Sequence, residues 1–361
     1  MEYPARPAKT RAGALNSLPM TNRLPPLTLA ALALLIALAI IAFSLGRFAI
    51  SPGDLITVVW AKLSGGTHTL PTTYDAVIFQ IRGPRVIAAI LIGAALSGAG
   101  AVYQNMFRNP LVSPDILGVS SGAALGAVLA IFLSLPMFAI QGFAFAGGLV
   151  AVAMVYFIGN AVRGHDPILA LILTGVVVGT LLGSGIALVK YLADPYNQLP
   201  AITFWLLGSL SSISNGDLLV AVPLVLAGLV PIYLLRWRMN VLSLSDDEAR
   251  ALGVNVARLR IIVVTSATLI TAAAVAISGI IGWIGLLIPH AARLLIGPGF
   301  ARLLPLTLLL GASYLLAVDT LARTMASIEI PPGVLTALIG APLFLWLLAV
   351  THSRARGGDD E

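Results

Sequence analysis

Cysteine is absent from the 361 residues. That excludes disulfides, thiolate nucleophiles and cysteine-ligated zinc. Charge is also scarce, with Asp, Glu, Lys and Arg making up 10% of the chain. Lysine occurs only at Lys9, Lys62 and Lys190, and none of these closes a G-x-x-x-x-G-K run, so no phosphate-cradling P-loop is present. If ATP drives this protein, another chain binds it. The histidines, His68, His165, His290 and His352, are scattered, so no metal site is expected. H-E-x-x-H does not occur, and no constellation supports a membrane enzyme. Ion-coupled carriers usually hold carboxylates within the bilayer. The one good candidate here is Asp319, with Arg323 four residues on as a ready partner. A secondary transporter working alone stays open as an alternative class.

What the chain has is apolar length. Hydrophobic residues make up 58%, and the mean hydropathy is +0.98. Those values leave too little polar surface for a soluble domain, and they predict an all-α, polytopic membrane protein. About ten transmembrane helices are expected, near 27–45, 86–102, 116–135, 137–162, 168–191, 217–235, 261–280, 282–295, 303–322 and 333–350. An amphipathic piece at 202–210 is too short to span, and 46–85 reads as a long polar connection. The first run follows a basic tail but is long enough to span, and it reads as an uncleaved helix. The expected organisation is a tail at 1–26, a membrane domain at 27–350 and a second tail at 351–361. With both termini inside, fifteen of the 21 Lys and Arg residues fall on the inner side. This bias favours cytoplasmic termini. The net charge of +6 then reports orientation, and no nucleic-acid partner is expected.

One interior stretch breaks the apolar pattern. Residues 236–260 carry eight charges: Arg236, Arg238, Asp246, Asp247, Glu248, Arg250, Arg258 and Arg260. Ser245 followed by Glu248 is a capping box that starts a helix at Asp246. Asp246 and Asp247 suit the first turn of that helix, and Gly253 suits its stop. Asn255 is placed to cap a second short helix, 256–260. The stretch is either a solvated loop between spans or a surface built for another protein. On the opposite side Arg82, Arg85 and Arg323 lie near span ends. They either form a basic rim or snorkel to lipid phosphate.

A set of ordered motifs then carries a resemblance. IRGPR (81–85) runs into a glycine-rich helix. Arg108-Asn109-Pro110-Leu111, Pro114 and LGVSSGA (117–123) follow. Further on stand FWLLGS (204–209), ARALG (249–253), GWIGLLIPH (282–290), DTLAR (319–323) and PGVLTALIGAP (332–342). Over residues 50–350 the chain resembles the FecCD-type permease subunits of binding-protein-dependent importers for iron-siderophores, haem and vitamin B12, the type II ABC importers. The resemblance implies a ten-helix permease that works as a homodimer in the bacterial inner membrane. It implies two ATP-binding cassette subunits that hold ATP and Mg, no cofactor on this chain, and an extracytoplasmic substrate-binding protein. It implies that residues 243–260 are coupling helices that meet the ATPase, through Ser245, Asp246, Asp247, Glu248, Arg250, Ala251, Leu252 and Gly253. It implies that Arg82, Arg85 and Arg323 meet acidic residues of the binding protein. It places a cytoplasmic gate at His165, Asp166, Pro167 and Ile168, where this chain departs from the small, hydroxyl-rich pattern of its relatives. An iron-siderophore or haem is the expected cargo, with vitamin B12 as an alternative. The stretch 198–205 is also similar to molybdate/tungstate members of the same family.

Overall fold

The structure, a computed structural model, describes residues 26–46, 48–161, 167–244 and 246–356. The expected tail 1–26 therefore lies outside the described residues except for Pro26, as do residues 357–361. Among the described residues all regular structure is helical.

Helix α1 (Pro26–Ser44) is the first expected span. The polar connection expected at 46–85 is instead largely helical. Ser51 accepts a hydrogen bond from the Asp54 amide at 3.1 Å and starts α2 (Pro52–Ser64). Pro52 sits at the first helical position, and Gly65, at φ +69°, ends the helix. Leu55 and Val58 turn inward against Phe43 and Ile78. Sequence reading missed α2 because it is short and half polar, and lies on the bundle instead of crossing it.

The next helix begins at Thr73, well before the expected Val86. A short turn α3 (Thr73–Asp75) leads into a π-helical turn, Ala76–Arg82, and then α4 (Gly83–Met106). Pro84 explains the wide turn. Proline has no amide hydrogen, and its ring collides with the carbonyl four residues back. The chain opens there, and the Gly83 amide reaches back five residues to the Ile78 carbonyl. A Cβ at Gly83 would sit 2.7 Å from that same oxygen, so the position needs glycine.

The remaining spans follow expectation to within a few residues at most ends. They are α5 (Val119–Phe132), preceded by a 3₁₀ turn at Pro114–Leu117, then α6 (Met137–Ala161) and α7 (Pro167–Leu192). The short α8 (Gln198–Leu206) does not span, and α9 (Asn215–Leu235) does. After a 3₁₀ turn, Arg238–Ser243, come α10 (Asp246–Ala251), α11 (Val256–Ser278), α12 (Ile284–Ile296), α13 (Phe300–Thr324) and α14 (Pro332–Arg356). Among the described residues eight helices are long and apolar enough to cross a membrane, and α5 and α12 are shorter apolar ones. At about 1.5 Å per residue these two fall short of a ~30 Å hydrocarbon core. Both are packed within the bundle, and at the end of α5 Gln198 Nε2 donates to the Phe132 carbonyl at 2.7 Å.

Helix α4 is the central post, buried along almost all of its length. It packs on α13, α12 and α11 through small residues. A methyl group at Gly93 would strike the Gly311 carbonyl of α13, and Ser97 Oγ donates to the Thr307 carbonyl at 3.1 Å. Lipid gives no hydrophobic drive for helix pairing, so this close backbone approach holds the pair together.

Candidate functional site

At one end of the bundle the polar stretch forms a rigid corner. Gly253 takes φ +76°. Its amide donates to the Arg250 carbonyl at 2.9 Å, and the Val254 amide donates to the Ala249 carbonyl at 3.2 Å. This pair of bonds is a Schellman ending for α10. Two residues on, the Asn255 side chain accepts from the Arg258 amide at 3.0 Å and caps α11. The expected second short helix does not end at residue 260. It runs unbroken through α11 to Ser278, because no glycine or proline interrupts 256–278 and a charged residue does not stop a helix. Ala249, Val256 and Leu259 are buried and seat the corner on the bundle, while Glu248, Arg250 and Leu252 face outward, Leu252 at 63% exposure. A groove of about 630 Å³ runs beside Leu252, Gly253, Asn255 and Arg258. Ser245 lies outside the described residues; Asp246 and Asp247 occupy the first turn of α10, as expected.

The segment leading into α10 is bolted down by residues to which sequence reading gave no such role. Asn105, near the end of α4, donates through Nδ2 to the Met239 carbonyl at 2.8 Å. Arg108 donates through Nε to the Leu242 carbonyl at 3.2 Å and through Nη2 to that of Leu244. Asn240 Oδ1 accepts from the Phe300 amide, the first residue of α13, at 2.8 Å. A signal did exist: Asn105 and Arg108 are polar residues closing an otherwise apolar run.

At the other end Arg82, Arg85 and Arg323 converge, but not as an open rim. Arg85 Nε donates to both Asp319 oxygens at 3.0 Å, and Nη2 lies 2.9 Å from Oδ1. Arg85 Nη1 donates to Glu329 Oε1 at 3.0 Å and Oε2 at 3.1 Å. The expected partner of Asp319, Arg323, is more distant, its Nε at 3.9 Å. Arg323 spends its other donors on the Leu45 carbonyl at 3.0 Å and that of Ala42. Arg82 donates to the carbonyls of Phe43 and Phe48. Two arginines thus cap the carbonyl end of α1, where unpaired acceptors and the helix dipole both favour a cation. The expected rim is an internal network. The Arg82 residue is 6% exposed, and the side chains of Arg85 and Arg323 are 11% and 9% exposed. Glu329, 45% exposed, is the outward member, and sequence reading missed it because it stands 244 residues from Arg85.

Beside Glu329 opens a cavity of about 870 Å³, lined by Gln141, Gln198, Trp205, Ser209, Asp217 and Ile330 among others. Its described lining includes two carboxylates and no Lys or Arg. Of the expected gate, His165 and Asp166 lie outside the described residues, and Pro167 and Ile168 open α7.

A model of the FecCD transport family matches residues 34–350. The chain belongs to this family. It is similar to the molybdate import system permease MolB of Haemophilus influenzae, 40% identical over 330 residues, which are 91% of this chain and 96% of that one. An iron chelatin transport system permease of Helicobacter pylori is 45% identical over 283 residues, 78% of this chain and 85% of that one. Among solved structures, a metal-chelate type ABC transporter in an inward-facing conformation superposes with a TM-score of 0.81 at 38% identity. That match covers 89% of this chain and 98% of the other. The fold is therefore that of an ABC importer permease, and this FecCD protein is a multi-pass membrane transport subunit.

Proposed function

We propose that this FecCD permease moves an iron chelate, a siderophore complex or haem, across the bacterial inner membrane. It would work as a homodimer with two ATP-binding cassette subunits and an extracytoplasmic binding protein. ATP and Mg would sit on the cassette subunits. The observation that carries the reading is the α10–α11 corner. A doubly capped, outward-facing turn with an exposed Leu252 beside a groove suits a protein partner better than solvent. The corner then faces the cytoplasm, as do both termini, and the arginine end faces outward. Closure of the cassettes would push the corner as a unit and rock the two permease halves about the dimer axis.

The cargo assignment rests on the cavity at the outward end together with the iron chelatin relative. An oxyanion entering there would meet Asp217 and Glu329 and no cation from the described lining. A bulky chelate meets mostly an apolar wall with a few amides and hydroxyls, so the two carboxylates weigh less against it than against a compact oxyanion. The MolB relative favours molybdate as the second reading. Purified permease, cassette and binding protein in liposomes should take up ferric chelate or haem on ATP addition. Uptake of molybdate alone would replace the first reading by the second, and uptake driven by an ion gradient without ATP would overturn both.

Docking of the binding protein is proposed at the Arg85–Glu329 edge. Glu329 holds one face of Arg85 in cis, on the side where a partner carboxylate would approach. Glu329→Gln is therefore expected to tighten binding-protein affinity severalfold. The gain should be larger at low salt, where exposed charges act over a longer range. Equal affinities of variant and parent at all salt concentrations would remove Glu329 from the docking edge.

A further inference from the structure

Three independent observations place α4 and α13 in one mechanical unit. At the outward end, Arg85 of α4 holds Asp319 of α13 through both carboxylate oxygens, buried. Midway, Gly93 faces Gly311 backbone to backbone, and Ser97 donates to Thr307. At the inward end both helices grip the segment that runs into α10. Asn105 and Arg108 hold it from α4, and the Phe300 amide of α13 holds Asn240. Each junction is made by short, directional bonds or by backbone contact. Such contacts shift between discrete arrangements and do not stretch.

We infer that α4 and α13 form a rigid strut between the α10 corner and the Arg85–Glu329 edge, with Asn105, Arg108 and Asn240 as the positioning residues that fasten the corner to it. The inference rests on the coupling and docking roles proposed above. A push on α10 would then tilt the strut whole and reach the docking edge undiminished. Asn240 is the sharpest test point. Its Oδ1 caps α13, and aspartate keeps that acceptor whereas leucine removes it.

The experiment uses the permease with its cassette and binding proteins in nanodiscs. Asn105→Leu and Asn240→Leu are expected to cut the stimulation of ATP hydrolysis by loaded binding protein about fivefold or more. Cassette association and binding-protein affinity should stay within about twofold of the parent. Asn240→Asp should keep the parent's stimulation. Full stimulation in the leucine variants, or equal loss in Asn240→Asp and Asn240→Leu, would overturn the strut. A second measurement needs no variant at these positions. Spin labels at Leu252 and Ile328 of one protomer, both exposed, diluted with unlabelled protomers, should keep their separation with and without ATP. A nucleotide-dependent change in that distance would also overturn it. If the parent permease binds neither partner protein, it is the coupling and docking reading that falls; a nucleotide-dependent change of label distance in a permease that binds both overturns the strut alone.

Discussion

Gly253→Pro is expected to abolish ATP-driven uptake while leaving the permease inserted and folded. Gly253 stands at φ +76° and gives its amide to the Arg250 carbonyl. Proline is locked near φ −65° and has no amide hydrogen. Both features of the Schellman ending are lost at once, so α10 leaves α11 at a different angle. Glu248, Arg250 and Leu252 are then displaced from the surface they share. The span itself starts only at Val256 under its own Asn255 cap, so insertion is spared. The substitutions should form a series. Asparagine tolerates the left-handed region and should retain most activity. Alanine costs roughly 1–2 kcal/mol there and should lose part of it. Proline should lower uptake and stimulated ATP hydrolysis about tenfold or more. A proline variant with parental uptake would show that the corner's angle carries no coupling.

Asp319→Leu should unfold the permease at markedly lower temperature, and adding Arg85→Leu should restore most of the loss. Asp319 is 1% exposed, and it balances Arg85 directly and Arg323 at longer range. Removing one member of a buried pair leaves an uncompensated charge, at a cost of about 3–5 kcal/mol. Removing both members removes the uncompensated charge of Arg85, while Arg323 keeps its carbonyl acceptors at the end of α1, so most of the loss is recovered. Thermal unfolding in detergent of the parent, the two single variants and the double variant tests this as a cycle. Additive losses in the double variant would show that the pair is not an energetic unit. Glu329 supplies the contrast. Its bond to Arg85 lies at the surface and is worth about 0–1 kcal/mol, so Glu329→Gln should leave the unfolding temperature nearly unchanged.

The two ends of the bundle differ in how readable they were. The α10 corner was legible because its signals are local. An acidic first turn, a glycine stop and an asparagine cap lie within ten residues of one another, and each acts on its neighbours' backbone. The length of the second helix was misjudged, since Arg258 and Arg260 look like a boundary and are merely the polar start of α11. The arginine end was half legible. IRGPR and DTLAR flagged the three arginines, and pairing of Asp319 with Arg323 followed from their spacing. That Asp319 would turn chiefly to Arg85, that Glu329 would join, and that two guanidiniums would cap α1 involved partners between 39 and 281 residues away.

Composition, hydropathy and local caps by themselves determined the class of protein, the run of apolar helices and the one capped polar corner between them. These follow from properties that sum along the chain or act within a turn or two. Tertiary structure alone decided which way the arginines face, that α4 and α13 share one backbone-to-backbone seam, and that Asn105, Arg108 and Asn240 tie the segment before α10 to it. The physical reason is that a hydrogen bond or ion pair is specified by where two groups end up in space. Helices packed through glycine and serine bring together side chains whose distance along the chain carries no trace of the meeting.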